Sequence, residues 1–188
     1  MAISKLSTKS KLLQQVESEI LACSVCNKAK KGRLVPGEGN AKAKIVLVGE
    51  APGKNEVVSG LPFVGRAGKV LRSLLEQIGI DAADVFITSA VKYLPKNYVT
   101  PKQVDITHGR KHLFKQLEII EPKVIVLLGN IAAKAVLKEK FSISQTHGTI
   151  IKRGDLIYFL SYHPAAPLYS PKLLEIITKD FKKLKKYV

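Results

Sequence analysis

Two loops and one pair of thiols in this chain have residue types and spacings that could do chemistry. Gly49-Glu-Ala-Pro-Gly-Lys-Asn-Glu56 follows the apolar run Lys44-Ile-Val-Leu-Val48, and Ser59-Gly-Leu-Pro-Phe-Val-Gly-Arg-Ala-Gly68 leads into an amphipathic stretch. A strand thus delivers a Gly- and Pro-rich loop to a helix, where open α/β sheets place their ligands. The loop is not a phosphate-cradling P-loop: three residues, not four, separate Gly49 from Gly53-Lys54, and Asn55 stands where Ser or Thr would hold magnesium. Nor is it a dinucleotide fingerprint, because Glu-Ala-Pro between the glycines prevents close approach of the backbone to a pyrophosphate. The rigid Pro52 and the aromatic Phe63 point to a pocket for a flat group. A plain strand-to-helix turn with Phe63 in the core is the alternative, and these residues alone leave both open. The second loop is Tyr162-His-Pro-Ala-Ala-Pro-Leu-Tyr-Ser-Pro171, and the thiols are Cys23-Ser-Val-Cys26.

Taken together these segments are specific. With Gly49-Glu-Ala-Pro-Gly53, Gly60-Leu-Pro-Phe-Val-Gly-Arg-Ala-Gly68, the apolar Pro122-Lys-Val-Ile-Val-Leu-Leu-Gly129 and His163-Pro-Ala-Ala166 in this order, the chain resembles the family 4 uracil-DNA glycosylases from Cys23 to its last helix. The resemblance implies a base flipped out of the DNA stack into a pocket that reads its Watson–Crick edge. Phe63 would stack on that base, beside Gly49, Glu50, Ala51, Pro52, Gly53 and Ser89. Loss of the base pushes negative charge onto uracil O2, and His163 is the expected donor there, supported by amides of the Gly49–Gly53 loop. Ala51 stands where better-known uracil glycosylases carry a water-activating Asp, as is usual in the resembled family; Glu50 and Glu56 are the carboxylates left in the loop. Lys54, Arg66 and Lys92 are candidate phosphate contacts, and Leu168-Tyr169 a candidate wedge into the vacated stack. Relatives commonly carry Arg where Tyr169 stands.

The chain departs from the resembled pattern at two places. Family 4 enzymes hold a [4Fe–4S] cluster through four cysteines; Cys23 and Cys26 match the first pair, but Tyr93 and Gly109 occupy the other two positions. The expectation is therefore no cluster in the monomer and no other cofactor, with Cys23 and Cys26 a remnant of the site. His108 or a second chain's cysteines are the routes by which a cluster would be completed. The other departure is Ser89, where the family pattern places an Asn able both to donate to uracil O4 and to accept from N3–H. These departures motivate a competing reading, a glycosylase fold that binds DNA or a partner without catalysis. A thiol-redox or metal protein built on Cys23 and Cys26 is a third.

The elements that must position these loops follow from periodicity. Helical spacing runs through Leu12, Leu13, Val16, Ile20 and Leu21 after a cap at Ser10, and through Val70, Leu71, Leu74, Leu75 and Ile78 over 67–78. Further helices are expected over 101–120, interrupted in pattern by Gly109, over 131–140, and at the C-terminus with Leu173, Leu174, Ile177 and Phe181 buried. Strands are expected at 44–48, 85–91, 124–128 and 156–162. Such alternation predicts one three-layer α/β/α domain over residues 1–188, built on a central, mainly parallel four-stranded sheet. Right-handed crossovers then bring Gly49, Ser89, Gly129 and His163 to one edge.

Bulk properties agree. At 188 residues and 46% apolar content the chain can bury its own core. Its 31 Lys and Arg against 15 Asp and Glu give a formal charge of +16, the electrostatic footprint of a polyanion binder. No window approaches a membrane span, and Met1 to Ser10 lacks a secretory apolar core. A cytoplasmic monomer acting on DNA that contains a deaminated base is the expectation.

Overall fold

The structure, a computed structural model, describes residues 7–95 and 100–187; residues 1–6, part of the segment inspected for a secretory core, lie outside the described residues. Helix α1 (Thr8–Ala22) is capped by the Ser7 hydroxyl, which accepts the Ser10 amide, so the expected cap Ser10 lies inside the first turn. Next come α2 (Ser24–Ala29), β1 (Lys30–Lys31), β2 (Glu38–Gly39), β3 (Ile45–Gly49), the single turn α3 (Glu56–Ser59) and α4 (Arg66–Gln77). The order continues with β4 (Val85–Ser89), β5 (Leu94–Pro95), α5 (Gln103–Ile120), β6 (Val124–Leu128) and α6 (Asn130–Leu137). It ends with α7 (Ile143–Thr146), β7 (Ile150–Arg153), β8 (Leu156–Ser161) and α8 (Lys172–Leu184).

The expected parallel core is present in the order β4-β3-β6-β8. Two antiparallel edge strands, β2 on β4 and β7 on β8, extend the main sheet to six strands among the described residues. β2 is two residues, Glu38-Gly39, too short to read as strand from pattern alone, and β7 carries only Ile150 and Ile151 as apolar residues. β3, β4 and β6 are buried at every position, which is why their sequences are apolar runs and not alternations. Side chains of β3 alternate between two cores. Ile45 and Leu47 meet Leu71, Leu74, Leu75, Ile177 and Phe181 of α4 and α8; Val46 and Val48 meet Leu113, Leu117, Ala132 and Val136 of α5 and α6. Removing any of these leucines costs about 2–5 kcal/mol through lost transfer energy and the cavity left behind.

Register places the site. Gly49 is opposite Ser89, and Leu128 opposite Ser161, so the parallel strands end together and their following loops emerge side by side. The chain leaves β3 toward β4 on one side and β6 toward β8 on the other, opening a crevice between them at the switch point.

Some helix faces differ from the periodic reading. In α1 only Val16 and Ile20 are buried, while Leu12 and Leu21 are 41% and 48% exposed, because α1 packs on α5 as an outlying helix instead of covering the sheet. Leu174 is likewise exposed on α8, whose buried stripe shifts to Ile177, Asp180, Phe181 and Leu184. Gly109 does not interrupt α5. A Cβ there would overlap the Ala90 carbonyl oxygen, so the glycine lets the helix backbone press directly on the segment following β4.

Candidate active site

The loops after β3, β4 and β8 enclose a cavity of ≈ 180 Å³ whose walls include Ala51, Pro52, Gly53, Phe63, Ser89 and His163. A larger hollow of ≈ 440 Å³, between Pro122 and Tyr158, lies at the opposite, N-terminal ends of the strands, away from these loops. The smaller cavity is the one the fold supplies with chemistry.

Phe63 forms its aromatic wall and is held from several directions. A Cβ on Gly49 would sit 2.9 Å from the ring's Cε2 and Cζ, and one on Gly68 would overlap the Phe63 carbonyl oxygen. Arg72 donates to that same oxygen at 2.7 Å. Phe63 also has φ 52°, a left-handed backbone that is unfavourable for a residue with a Cβ and that costs of order 1–2 kcal/mol. Strained backbone of this kind persists where surrounding contacts over-determine it, which these do.

His163 faces Phe63 with ring centroids 5.6 Å apart and planes 26° from parallel. The Ala165 amide donates to its Nδ1 at 3.1 Å. Burial pushes the imidazole pKa down to about 4, opposed by the Glu56 carboxylate, so the ring is neutral at physiological pH. A neutral imidazole whose Nδ1 accepts must carry its proton on Nε2. The ring therefore offers one donor, already oriented by a backbone amide.

The two carboxylates separate. Glu56 lines the cavity and accepts the Gly65 amide at 3.0 Å through Oε1, linking the Gly53 and Gly65 ends of the loop. Glu50 is absent from the cavity wall; its backbone carbonyl accepts the Val91 amide, and burial raises its side-chain pKa. Ser89 reaches the cavity, and its hydroxyl donates to the Val91 carbonyl at 2.7 Å.

Lys92 corrects the sequence reading. It is 0% exposed and cannot meet a phosphate; its ammonium donates to Thr88 Oγ1 and Gln116 Oε1 inside the protein, and burial pushes its pKa down to about 7. A lysine just after a strand looks like surface charge in sequence, and only Thr88 of β4 and Gln116 of α5 reveal its interior role. Lys54 and Arg66 are exposed on the loop and at the start of α4. Leu168 and Tyr169 project just beyond His163, 39% and 88% exposed.

The thiols are not alone either. Cys23 and Cys26, at the α1–α2 junction, lie against His108 and His112 of α5, and the four candidate ligand atoms fall within 4.8 Å of one another. His112 was missed in the sequence reading, although His108-Gly-Arg-Lys-His112 after Cys-x-x-Cys is a recognisable metal spacing. The residues do not fit a [4Fe–4S] cluster, which normally takes four thiolates. At the family's third position Tyr93 is buried, its hydroxyl donating to Asp105 Oδ1 at 2.6 Å, and at the fourth Gly109 has no room for a side chain.

A family model for the uracil DNA glycosylase superfamily matches residues 36–187, and the chain belongs to that superfamily. Within it, the similarity to type-4 members runs nearly end to end. The chain is 41% identical to the type-4 uracil-DNA glycosylase of Sulfurisphaera tokodaii, covering 92% of this chain and 83% of that one. It is 42% identical to the type-4 enzyme of Archaeoglobus fulgidus over 92% and 91% of the two chains. Against the type-4 enzyme of Thermotoga maritima the identity is 36% over 96% and 97%.

Proposed function

We propose that this protein is a monofunctional uracil-DNA glycosylase of base excision repair, hydrolysing the N-glycosidic bond of uracil or a related deaminated base in DNA. One observation carries the reading: an aromatic plate and a neutral imidazole donor face the same cavity, 5.6 Å apart between ring centroids. The flipped base stacks on Phe63, a contact worth about 1–3 kcal/mol. The bond from C1′ to the base breaks with its electron pair leaving on the base, and the charge gathers at O2. His163 Nε2–H and amides of the Gly49–Gly53 loop meet it there, in a site too small to hold much water. A water oxygen then bonds to C1′ and gives up its proton, while the released uracil anion takes one up.

Glu56 is the group that holds this water; its place on the cavity wall favours it over Glu50. Ser89 accepts from the N3–H of the base, since its own proton is engaged by Val91. Cytosine, whose N3 carries a bare lone pair, is repelled by that oxygen. Outside the cavity, Lys54 and Arg66 neutralise phosphates, and Leu168 with Tyr169 fills the gap in the stack. The chain works as a monomer in the cytoplasm, as one unit over residues 1–188, without an iron–sulfur cluster. Among the described residues no helix is long and apolar enough to cross a membrane.

The test incubates the protein, in excess, with single- and double-stranded oligonucleotides containing uracil, hypoxanthine or xanthine, followed by alkaline cleavage of abasic sites. Scission at uracil is expected. Its absence for every base would leave a DNA-binding protein on the glycosylase fold.

A further inference from the structure

The cluster at the α1–α2 junction has a donor set of its own. We propose that Cys23, Cys26, His108 and His112 bind a single zinc ion, in place of the iron–sulfur cluster of the family. His108 and His112 are four residues apart on α5 and so share one helix face, while Cys-x-x-Cys brings two sulfurs together at a helix junction. Cys23 Sγ lies 3.2 Å from His108 Nε2, and the two imidazoles meet edge to face with centroids 5.3 Å apart. Ligands tetrahedral about one ion at normal Zn–S and Zn–N distances stand about 3.3–3.8 Å from each other. The observed grouping, within 4.8 Å, needs only a small contraction to reach that geometry. A cubane cluster spreads its terminal ligands over four separate irons, which this tight grouping does not match.

His112 supplies the independent observation. It is 9% exposed, and neither ring nitrogen has a hydrogen-bond partner. A buried imidazole without a partner costs free energy that a coordinate bond would recover. Two thiolates and two neutral imidazoles form a borderline-soft set that suits Zn²⁺, and the two negative charges cancel those of the ion in a buried place. The ion would tie α1 and α2 to α5. Tyr93 packs against Cys26 in the same cluster, so the ion would also brace the segment that begins at Ser89.

Metal analysis of the full chain, purified under nitrogen with reductant and without added metal, tests this. About one zinc per chain is expected, with neither iron nor acid-labile sulfide. Replacing zinc by Co²⁺ should give the intense visible bands of a tetrahedral ion together with sulfur-to-cobalt charge transfer. Stripping the ion should lower Tm, and zinc should restore it. His112→Ala is expected to lose stoichiometric zinc. Should that variant fail to fold, Cys23→Ser, at a partly buried position, must show weakened Co²⁺ binding with an altered charge-transfer band. Iron with labile sulfide in stoichiometric amount overturns the proposal, as does apo protein that fails to take up zinc or cobalt under reducing conditions. The outcome is independent of uracil excision, which the oligonucleotide assay reads separately.

Discussion

Replacing Ser89 by Ala and by Asn measures how this cavity reads a base edge. Ser89 is 4% exposed, and its single proton goes to the Val91 carbonyl at 2.7 Å, so toward a ligand it presents only lone pairs. It can accept from a pyrimidine N3–H but cannot donate to O4. Ser89→Ala removes that acceptor from a dry site, costing about 1–3 kcal/mol, or roughly 5- to 150-fold in kcat/KM for uracil. It also removes the repulsion against cytosine, so the preference for uracil over cytosine should narrow. Ser89→Asn supplies an acceptor for N3–H and a donor for O4 together. One added net hydrogen bond of about 0.5–1.5 kcal/mol corresponds to roughly 2- to 10-fold higher kcat/KM. Single-turnover cleavage of matched uracil and cytosine oligonucleotides reads both numbers, with circular dichroism and Tm confirming that each variant is folded. Unchanged kcat/KM for uracil in a folded Ser89→Ala, with the uracil-to-cytosine ratio also unchanged, would refute the assignment.

Other expectations follow from the same geometry. His163 should titrate by NMR near pH 4, and kcat should show no inflection near 6.5; below about 4 its Nδ1 binds a proton, the Ala165 amide loses its acceptor, and turnover should fall. Because this folded pKa is depressed below the ordinary 6.5, the unfolded chain binds the proton first; the stability contribution is complete above about 6.5 and lost as pH falls toward 4, summing to about 3 kcal/mol, measurable as Tm against pH in wild type and His163→Asn. Gly49→Ala forces the Phe63 ring away from a Cβ that would sit 2.9 Å from it, so uracil excision should drop sharply while affinity for undamaged duplex stays unchanged. Arg66→Ala should reduce the salt dependence of DNA binding by about one in the log–log slope, whereas Lys92→Gln should leave that slope alone and lower Tm, since its ammonium is interior.

The parallel core and the convergence of loops were legible in the sequence because doubly covered strands are written as continuous apolar runs, and Gly49 and His163 each follow such a run directly. The edge strands were less so: Glu38-Gly39 is two residues with no apolar signal and exists through pairing with β4, while Thr149-Ile-Ile-Lys152 before the Arg153-Gly-Asp155 turn has a short apolar signal that was not counted in the four-stranded sheet. Phe63 and His163 were found through motif order. The fate of Lys92 was invisible, because a charge in a strand-end segment looks the same whether it meets solvent or a buried Thr88 and Gln116. His112 was obscured by its position within a basic helix, Arg110-Lys-His112, where it looks like one more surface cation. Gly109 interrupts the helical pattern in sequence, whereas in the fold it admits the Ala90 carbonyl against the helix backbone.

Phe63 is locked from behind by two glycines and by Arg72. Its place is thus owed to main-chain shape on several segments, and a substitution that shifts the plate, such as Gly49→Ala, does so by steric overlap. Position 89 is held differently, for its buried side chain lines the cavity and has one hydrogen bond, to the Val91 carbonyl. Selection for a different lesion would therefore find the plate constrained by several segments and Ser89 by one hydrogen bond, so drift in preference among relatives should be sought first at residue 89.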